Sequence, residues 1–218
     1  MEDKNGKVAI SGKLISALLL FIISLFFFSI ISQEVVLEKE DWFDKTVFDY
    51  LRTYSSPFNI DLFNFFTFFG SSTFLFPAYI ILIILLIYKN QKSDAIDVAI
   101  LGITSTLLLY ILKISFARAR PDFPLLRQLS SYSFPSGHTL SSFIFFSVLV
   151  VEVWKFEIDK KWKISLTVLF IFLSLTVALS RIVLRYHYAS DVLAGLSLGI
   201  AYVLLFFWLR KKWRKTSL

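Results

Sequence analysis

No cysteine occurs in the 218 residues, and histidine and methionine are nearly absent, with two and one. That excludes a disulfide scaffold, a thiolate metal site and a cysteine nucleophile, and it leaves the redox compartment unreadable. Charge is scarce as well, at 18% of residues, where an ordinary soluble domain carries roughly 25%. There are only 7 Gly and 5 Pro. No Gly/Ser linker, low-complexity tract or repeat of roughly 20–50 residues divides the chain, so residues 1–218 read as a single domain. What fills the space is apolar: 56% hydrophobic residues, 25 of them Phe, and a mean hydropathy of +0.70. Such a chain is expected to be an integral membrane protein.

A hydrocarbon core about 30 Å thick is crossed by about 20 apolar residues of helix. Six runs of that kind stand between charged punctuation: Leu14–Ser32, Ser71–Tyr88, Ala95–Phe116, Pro135–Trp154, Ile164–Leu184 and Tyr188–Leu209. The fold class is therefore all-α, a polytopic membrane protein with six transmembrane helices. The first run follows Lys4, Lys7 and Lys13, but no small-residue cleavage site comes after it, so it reads as a retained span. Gln33–Gly70 opens acidic (Glu34, Glu38, Glu40, Asp41, Asp44) and turns aromatic through Phe58–Phe69. That stretch reads either as an amphipathic helix lying in the interface or as a partly buried connector.

Basic residues stay on the cytoplasmic side of a bilayer. Alternate loops divide the 23 Lys and Arg into 14 on the side of the two termini and 9 on the other. Trp154, Trp162, Trp208 and Trp213 fall at span ends on the terminal side, as an aromatic belt does. Both termini are thus expected in the cytoplasm of a multi-pass cell-membrane protein, and the opposite loops outside. The net charge of +7 then reports topology and calls for no nucleic acid.

Two stretches break the apolar pattern beyond what topology requires. One runs from Lys113 through Arg120-Pro121 to Pro135-Ser136-Gly137-His138; the other is Ser180-Arg181 followed by His187 and Asp191. Spans three and five run in the same direction, so both stretches emerge on one face of the membrane. Lys113, Arg120 and Arg181 put three cations at the mouth of an apolar bundle, where charge is expensive and usually functional. Pro135 followed by small Ser136 and Gly137 leaves the first N–H groups of a helix free to meet an anion. Phosphate fits that set best. His187 and Asp191 are four residues apart, on one helical face, so the carboxylate can hold one ring nitrogen and free the other. His138 arrives from the other stretch, and the chain has no third histidine. One imidazole that attacks phosphorus and one that protonates the departing oxygen make a complete phosphomonoesterase with no metal or other cofactor required.

These segments resemble the three signature motifs of the type 2 phosphatidic acid phosphatases, the lipid phosphate phosphatases related to vanadium haloperoxidases. The motifs are Lys-x6-Arg-Pro at Lys113–Pro121, Pro-Ser-Gly-His at Pro135–His138 and Ser-Arg-x5-His-x3-Asp at Ser180–Asp191. All eleven specified positions match in order and spacing. The resemblance extends from about Leu14 to the end and is weakest over Gln33–Gly70. It implies a single phosphatase domain with His187 as the nucleophile that becomes phosphohistidine, Asp191 orienting it and His138 as general acid. Lys113, Arg120, Ser136, Gly137 and Arg181 bind the phosphate oxygens, while Ser180 has no evident role. The implied partner is a lipid phosphate or pyrophosphate in the bilayer. Members act on undecaprenyl pyrophosphate, phosphatidylglycerophosphate, lipid A phosphates and phosphatidate. An outward-facing site favours the first, the carrier lipid being recycled on that side.

Taken singly, the pieces have ordinary readings. Arg181 or Lys113 at a span end is usually a snorkelling anchor, and His187/Asp191 alone could be a surface contact or half of a metal site. Arg118, Asp122, Arg127, Arg185 and Tyr186 read as loop solvation or as support behind the reacting groups. Gly195-x3-Gly199 reads as a helix contact inside the bundle more than as a dimer seam. A transporter or proton relay through Lys113, Arg181, His187 and Asp191 is the competing class, and a lipid-binding scaffold a third. Against the transporter, the charges cluster at span ends and no Gly- or Pro-broken helix pair is evident at mid-membrane.

Overall fold

A computed structural model describes residues 12–37, 41–54 and 56–216. Lys4, Lys7, Glu38, Lys39 and Glu40, which entered the charge reading, lie outside the described residues. Among the described residues the chain forms eight α-helices: α1 Gly12–Ile31, α2 Trp42–Arg52, α3 Pro57–Phe68, α4 Ser72–Tyr88, α5 Lys92–Phe116, α6 Gly137–Lys155, α7 Lys160–Val183 and α8 Ala189–Thr216. A π-helical turn, Ser32–Leu37, continues α1. Six segments are long and apolar enough to cross a membrane, the second being Pro57–Tyr88, which joins α3 and α4.

The stretch Phe58–Phe69 is thus a helix in its own right. Ser56 caps it by accepting the N–H of Asn59 at 3.2 Å, and Pro57 occupies its first turn, where a missing N–H does no harm. It packs against α7, with Phe66 edge-on to Phe172 at 5.9 Å. Ser71 restarts the chain as the cap of α4, accepting from Phe74 N at 3.3 Å. α2, within the stretch where the sequence allows an amphipathic helix between the first two spans, is short and amphipathic, and it lies against α7 and α8.

α6 is the central strut, packed on α4, α5, α7 and α8. Leu140, Ile144 and Val148 on α6 meet Leu86, Val98 and Leu101 of α4 and α5 and Leu198 and Phe206 of α8. A second, aromatic cluster joins Phe145 and Phe146 to Leu75 and, around them, Phe69, Phe74 and Phe170. Gly195 lets α8 approach the start of α6: a Cβ there would stand 3.0 Å from the Ser136 carbonyl oxygen, and one at Gly199 2.8 Å from Phe143. These glycines serve the bundle's interior.

The two ends of the bundle are pinned differently. At the terminal end Asp94 of α5 meets Lys155 of α6 at 3.0 Å and Arg214 of α8 at 2.7 Å. Arg210 also bonds Asp94. This ion-paired end explains why α8 stays helical to Thr216, seven residues past the expected Leu209. The site gathers at the other end.

Candidate active site

α5 ends at Ala117, whose left-handed φ of 45° turns the chain into the loop that carries Arg118 and Arg120. The two loops at this end are laced together. Ser133 N donates to Arg118 O at 2.8 Å, Leu125 N to Leu184 O at 3.2 Å and Ser136 N to Asp191 O at 3.0 Å. Helix α7 closes with His187 N donating to Arg181 O at 3.1 Å, and α8 starts immediately after. All eight residues singled out in the sequence therefore stand at one end of the bundle.

His187 is 1% exposed and Asp191 0%. Nδ1 of His187 lies 3.2 Å from Asp191 Oδ2, and Nε2 lies 3.1 Å from a terminal nitrogen of Arg120. A guanidinium only donates, so Nε2 is the acceptor and Nδ1 carries the proton that faces Asp191. The tautomer is set by these two contacts. Ser133 Oγ donates to Asp191 Oδ2 and stands 3.3 Å from Nδ1. Asp191 Oδ2 also accepts the N–H of Tyr188 at 3.0 Å, the reach-back of a capping box at the start of α8.

Burial pushes the His187 imidazole down to about 3, against the upward pull of Asp191 and with added repulsion from Arg181 and Arg120. The ring is neutral at physiological pH. An unfolded histidine titrates near 6.5, so between pH about 6.5 and about 3 the unfolded chain binds the extra proton and acid destabilises the fold through this group. With two histidines in the chain, nitrogen-15 NMR of histidine-labelled protein checks this directly. His187 is expected to keep neutral-ring shifts from about pH 7.5 to about pH 5; a midpoint near 6.5 would show that burial does not dominate.

The cations surround this pair. Arg120 donates to Tyr186 O at 2.6 Å and to Ser131 O at 2.7 Å. Lys113 Nζ donates to Tyr132 O at 2.5 Å. Arg181 is 2% exposed, donates to Thr67 Oγ1 of α3 at 2.6 Å and lies over the Tyr186 ring at 4.4 Å. Its Nε is buried without a hydrogen-bond partner, so this guanidinium retains an unmet donor. Ser136 and Gly137 open α6, whose first N–H groups have no intrahelical partner. Lys113 Cε would stand 3.7 Å from a Cβ on Gly137. His138 follows on the first turn of α6, within electrostatic range of Arg181, His187, Arg120 and Lys113. The break between α3 and α4 lies against it: a Cβ on Gly70 would be 3.1 Å from His138 Cβ. α3 and α4 are interrupted here, at the end of the bundle that holds the site.

Several residues at the site were not legible as such. Arg118, which reads as loop solvation or support, is largely covered and bonds Asp191 Oδ1 at 2.6 Å and Asp44 Oδ2 at 2.8 Å. Asp44, read as part of an acidic opening, is 2% exposed. Ser133, Ser190 and Thr67 carried no motif. A pocket of about 290 Å³ adjoins the site, walled by Arg120, Asp122, Gln128, Ser130, Arg185 and Tyr186; Arg185 enters it from a left-handed φ of 54°.

Helices of membrane-spanning length, with a buried imidazole and a group of cations gathered at one end of the bundle, define a class: a multi-pass membrane protein. The chain belongs to the PAP2 superfamily, whose family model matches residues 94–215. It is 33% identical over 139 residues to phosphatidylglycerophosphatase B of Bacillus subtilis, covering 63% of this chain and 67% of that protein. It is 29% identical over 161 residues to a lipid A 1-phosphatase of Rhizobium johnstonii, covering 63% of this chain and 62% of that protein. The crystal structure of a transmembrane PAP2 type phosphatidylglycerolphosphate phosphatase from Bacillus subtilis is similar with a TM-score of 0.77 at 26% identity, over 90% of this chain and 96% of that one. The crystal structure of Aquifex aeolicus LpxE shares the fold, with a TM-score of 0.59 at 24% identity over 74% of this chain and 93% of that one.

Proposed function

We propose that this chain is a membrane lipid phosphatase that passes the phosphoryl group of a lipid phosphomonoester or diphosphate through His187 to water. The observation that carries the reading is the pair of contacts on His187, Asp191 at Nδ1 and Arg120 at Nε2. They leave a neutral ring whose lone pair points at a cation. A phosphate entering there takes over the Arg120 donor, and Nε2 attacks phosphorus. The bond from phosphorus to the lipid oxygen breaks, and that oxygen takes a proton from His138. Water then attacks the phosphohistidine, His138 receives its proton, the P–N bond breaks and phosphate leaves. Lys113, Arg120, Arg181 and the Ser136–Gly137 helix start hold the charge spread over the transferring oxygens. One such donor contributes on the order of 10²–10³ in rate. No step needs a metal.

The pocket beside Arg120 bears on the substrate. A lipid with its reacting phosphate at His187 and a second phosphate beyond it has room for the second in the bowl beside Arg185, and phosphatidate has no second phosphate. That supports phosphatidylglycerophosphate, in line with the names of the relatives. Undecaprenyl pyrophosphate is the second reading, favoured by the charge asymmetry that turns the site outward. Purified protein in detergent is expected to release phosphate from both two-phosphate lipids with kcat/KM at least about tenfold above phosphatidate, and equally well in EDTA. Release from none of the three would overturn the reading; loss in EDTA with recovery in Mg²⁺ would overturn the metal-free route.

Sidedness has its own test. The chain has no native Cys, and both Ser130 and Lys160 are exposed. With Ser130→Cys and Lys160→Cys in whole cells, an impermeant maleimide is expected to label the first and spare the second. The reverse pattern would turn the site to the cytoplasm and remove the case for the carrier lipid.

A further inference from the structure

We infer that Asp44 and Arg118 are positioning residues of this site, acting on His187 through Asp191; the inference rests on the phosphatase reading above. Asp191 Oδ2 already receives three donors, from His187, Ser133 and Tyr188. Oδ1 is held by Arg118, at 2.6 Å. That contact therefore fixes the rotation of the carboxylate, and with it which oxygen faces the imidazole. Arg118 is itself clamped. Its Nη2 bonds Asp44 at 2.8 Å, its Nη1 also reaches Ser190 Oγ at 2.8 Å, and the Tyr188 ring lies beneath it at 4.1 Å.

Asp44 closes the assembly from α2. Its Oδ1 accepts the Ser190 N–H at 2.9 Å and its Oδ2 the Ser190 hydroxyl at 2.6 Å. Ser190 stands in the first turn of α8, where N–H groups have no partner within the helix. Asp44 thus caps, from another helix, the helix that carries Asp191. The side chains of Asp44, Arg118 and Asp191 are 2%, 11% and 0% exposed. One guanidinium bridges two carboxylates, and a lysine cannot replace it, because a point charge does not hold both in fixed geometry. The segment between the first two spans, which carries no motif, thereby acquires a role in the chemistry.

The test compares wild type with Asp44→Asn, Arg118→Lys, Arg118→Gln and the Asp44→Asn/Arg118→Gln double variant, all in the same detergent. Asp44→Asn keeps an oxygen to cap the Ser190 N–H and replaces the one that accepts from Arg118 and from the Ser190 hydroxyl. We expect its kcat to fall about tenfold with KM within about twofold. Arg118→Lys is expected to recover little of the Arg118→Gln loss, and the double variant to fall no further than Arg118→Gln alone, as members of one chain of contacts do. Nitrogen-15 NMR without substrate is expected to show the His187 ring signals displaced in Asp44→Asn. Near-wild-type kcat, additive losses, or unmoved His187 signals in a monodisperse Asp44→Asn protein would overturn the inference. If Arg118→Gln does not fold, Asp44→Asn decides alone. If wild type itself releases no phosphate, the phosphatase reading fails, and the ring signals still judge the positioning role.

Discussion

His187→Ala is expected to remove turnover and phosphoenzyme together. The substitution deletes the atom to which the phosphoryl group is transferred, and no second imidazole stands in its place: His138 is the only other histidine in the chain, on the first turn of α6. Loss of the nucleophile in such a unit leaves only what binding and cation stabilisation provide, so kcat is expected to fall by at least about 10⁴-fold. The measurement is single-turnover phosphate release together with acid-labile label on the protein from a phosphorus-32 lipid. His138→Ala is the contrast. It keeps the nucleophile, so label still accumulates with an aryl phosphate whose leaving group needs no proton, while lipid turnover drops. Phosphate release within about tenfold of wild type in His187→Ala would mean that another group attacks phosphorus.

The parts of the fold visible in the sequence were those fixed by local or directional rules. Long apolar runs mark the spans, and because α5 and α7 run the same way, Lys113, Arg181 and His187 had to emerge together. The helix start at Ser136-Gly137 and the His187/Asp191 spacing were likewise local signals. What escaped depended on contacts between distant residues. Asp44 meets Ser190 across 146 positions and Arg118 meets Asp191 across 73; Thr67 meets Arg181 across 114. In sequence, Asp44 is one acid among several, and an acidic stretch ordinarily reads as solvated. Thr67 is one hydroxyl in a phenylalanine run, where a polar residue draws notice only once its buried partner is known. Arg118 sits two residues from Arg120, and nothing in the spacing says that one turns toward His187 while the other turns toward two carboxylates. The left-handed turn at Ala117 makes that division, and alanine gives no sign of it. The charged ends of α8 looked like the limit of a span because hydropathy stops there, whereas their pairing with Asp94 keeps the helix going.

Asp191→Asn tests whether the carboxylate acts through charge and acceptor count or merely fills space. Asparagine has nearly the same volume, yet it presents one acceptor oxygen and an NH₂ where the carboxylate presents two acceptors. Four donors now face it: His187 Nδ1–H, the Ser133 hydroxyl, Tyr188 N–H and Arg118. The amide cannot satisfy them all, and the partner best able to adjust is the imidazole, by moving its proton from Nδ1 to Nε2. That tautomer donates toward Arg120 and has no lone pair for phosphorus. Arg118 still pairs with Asp44 at 2.8 Å, so the guanidinium keeps a counter-charge and the chain is expected to fold and purify monodisperse. kcat is expected to fall by on the order of 10³–10⁴, as for the orienting carboxylate of a serine protease triad. KM should change far less, because Lys113, Arg120 and Arg181 remain. The nitrogen-15 shifts of His187 should report the exchanged tautomer in the absence of any substrate. An unchanged tautomer with kcat within about tenfold of wild type would show that Asp191 serves chiefly to cap α8, and that the orientation of His187 comes from Ser133 and Arg120.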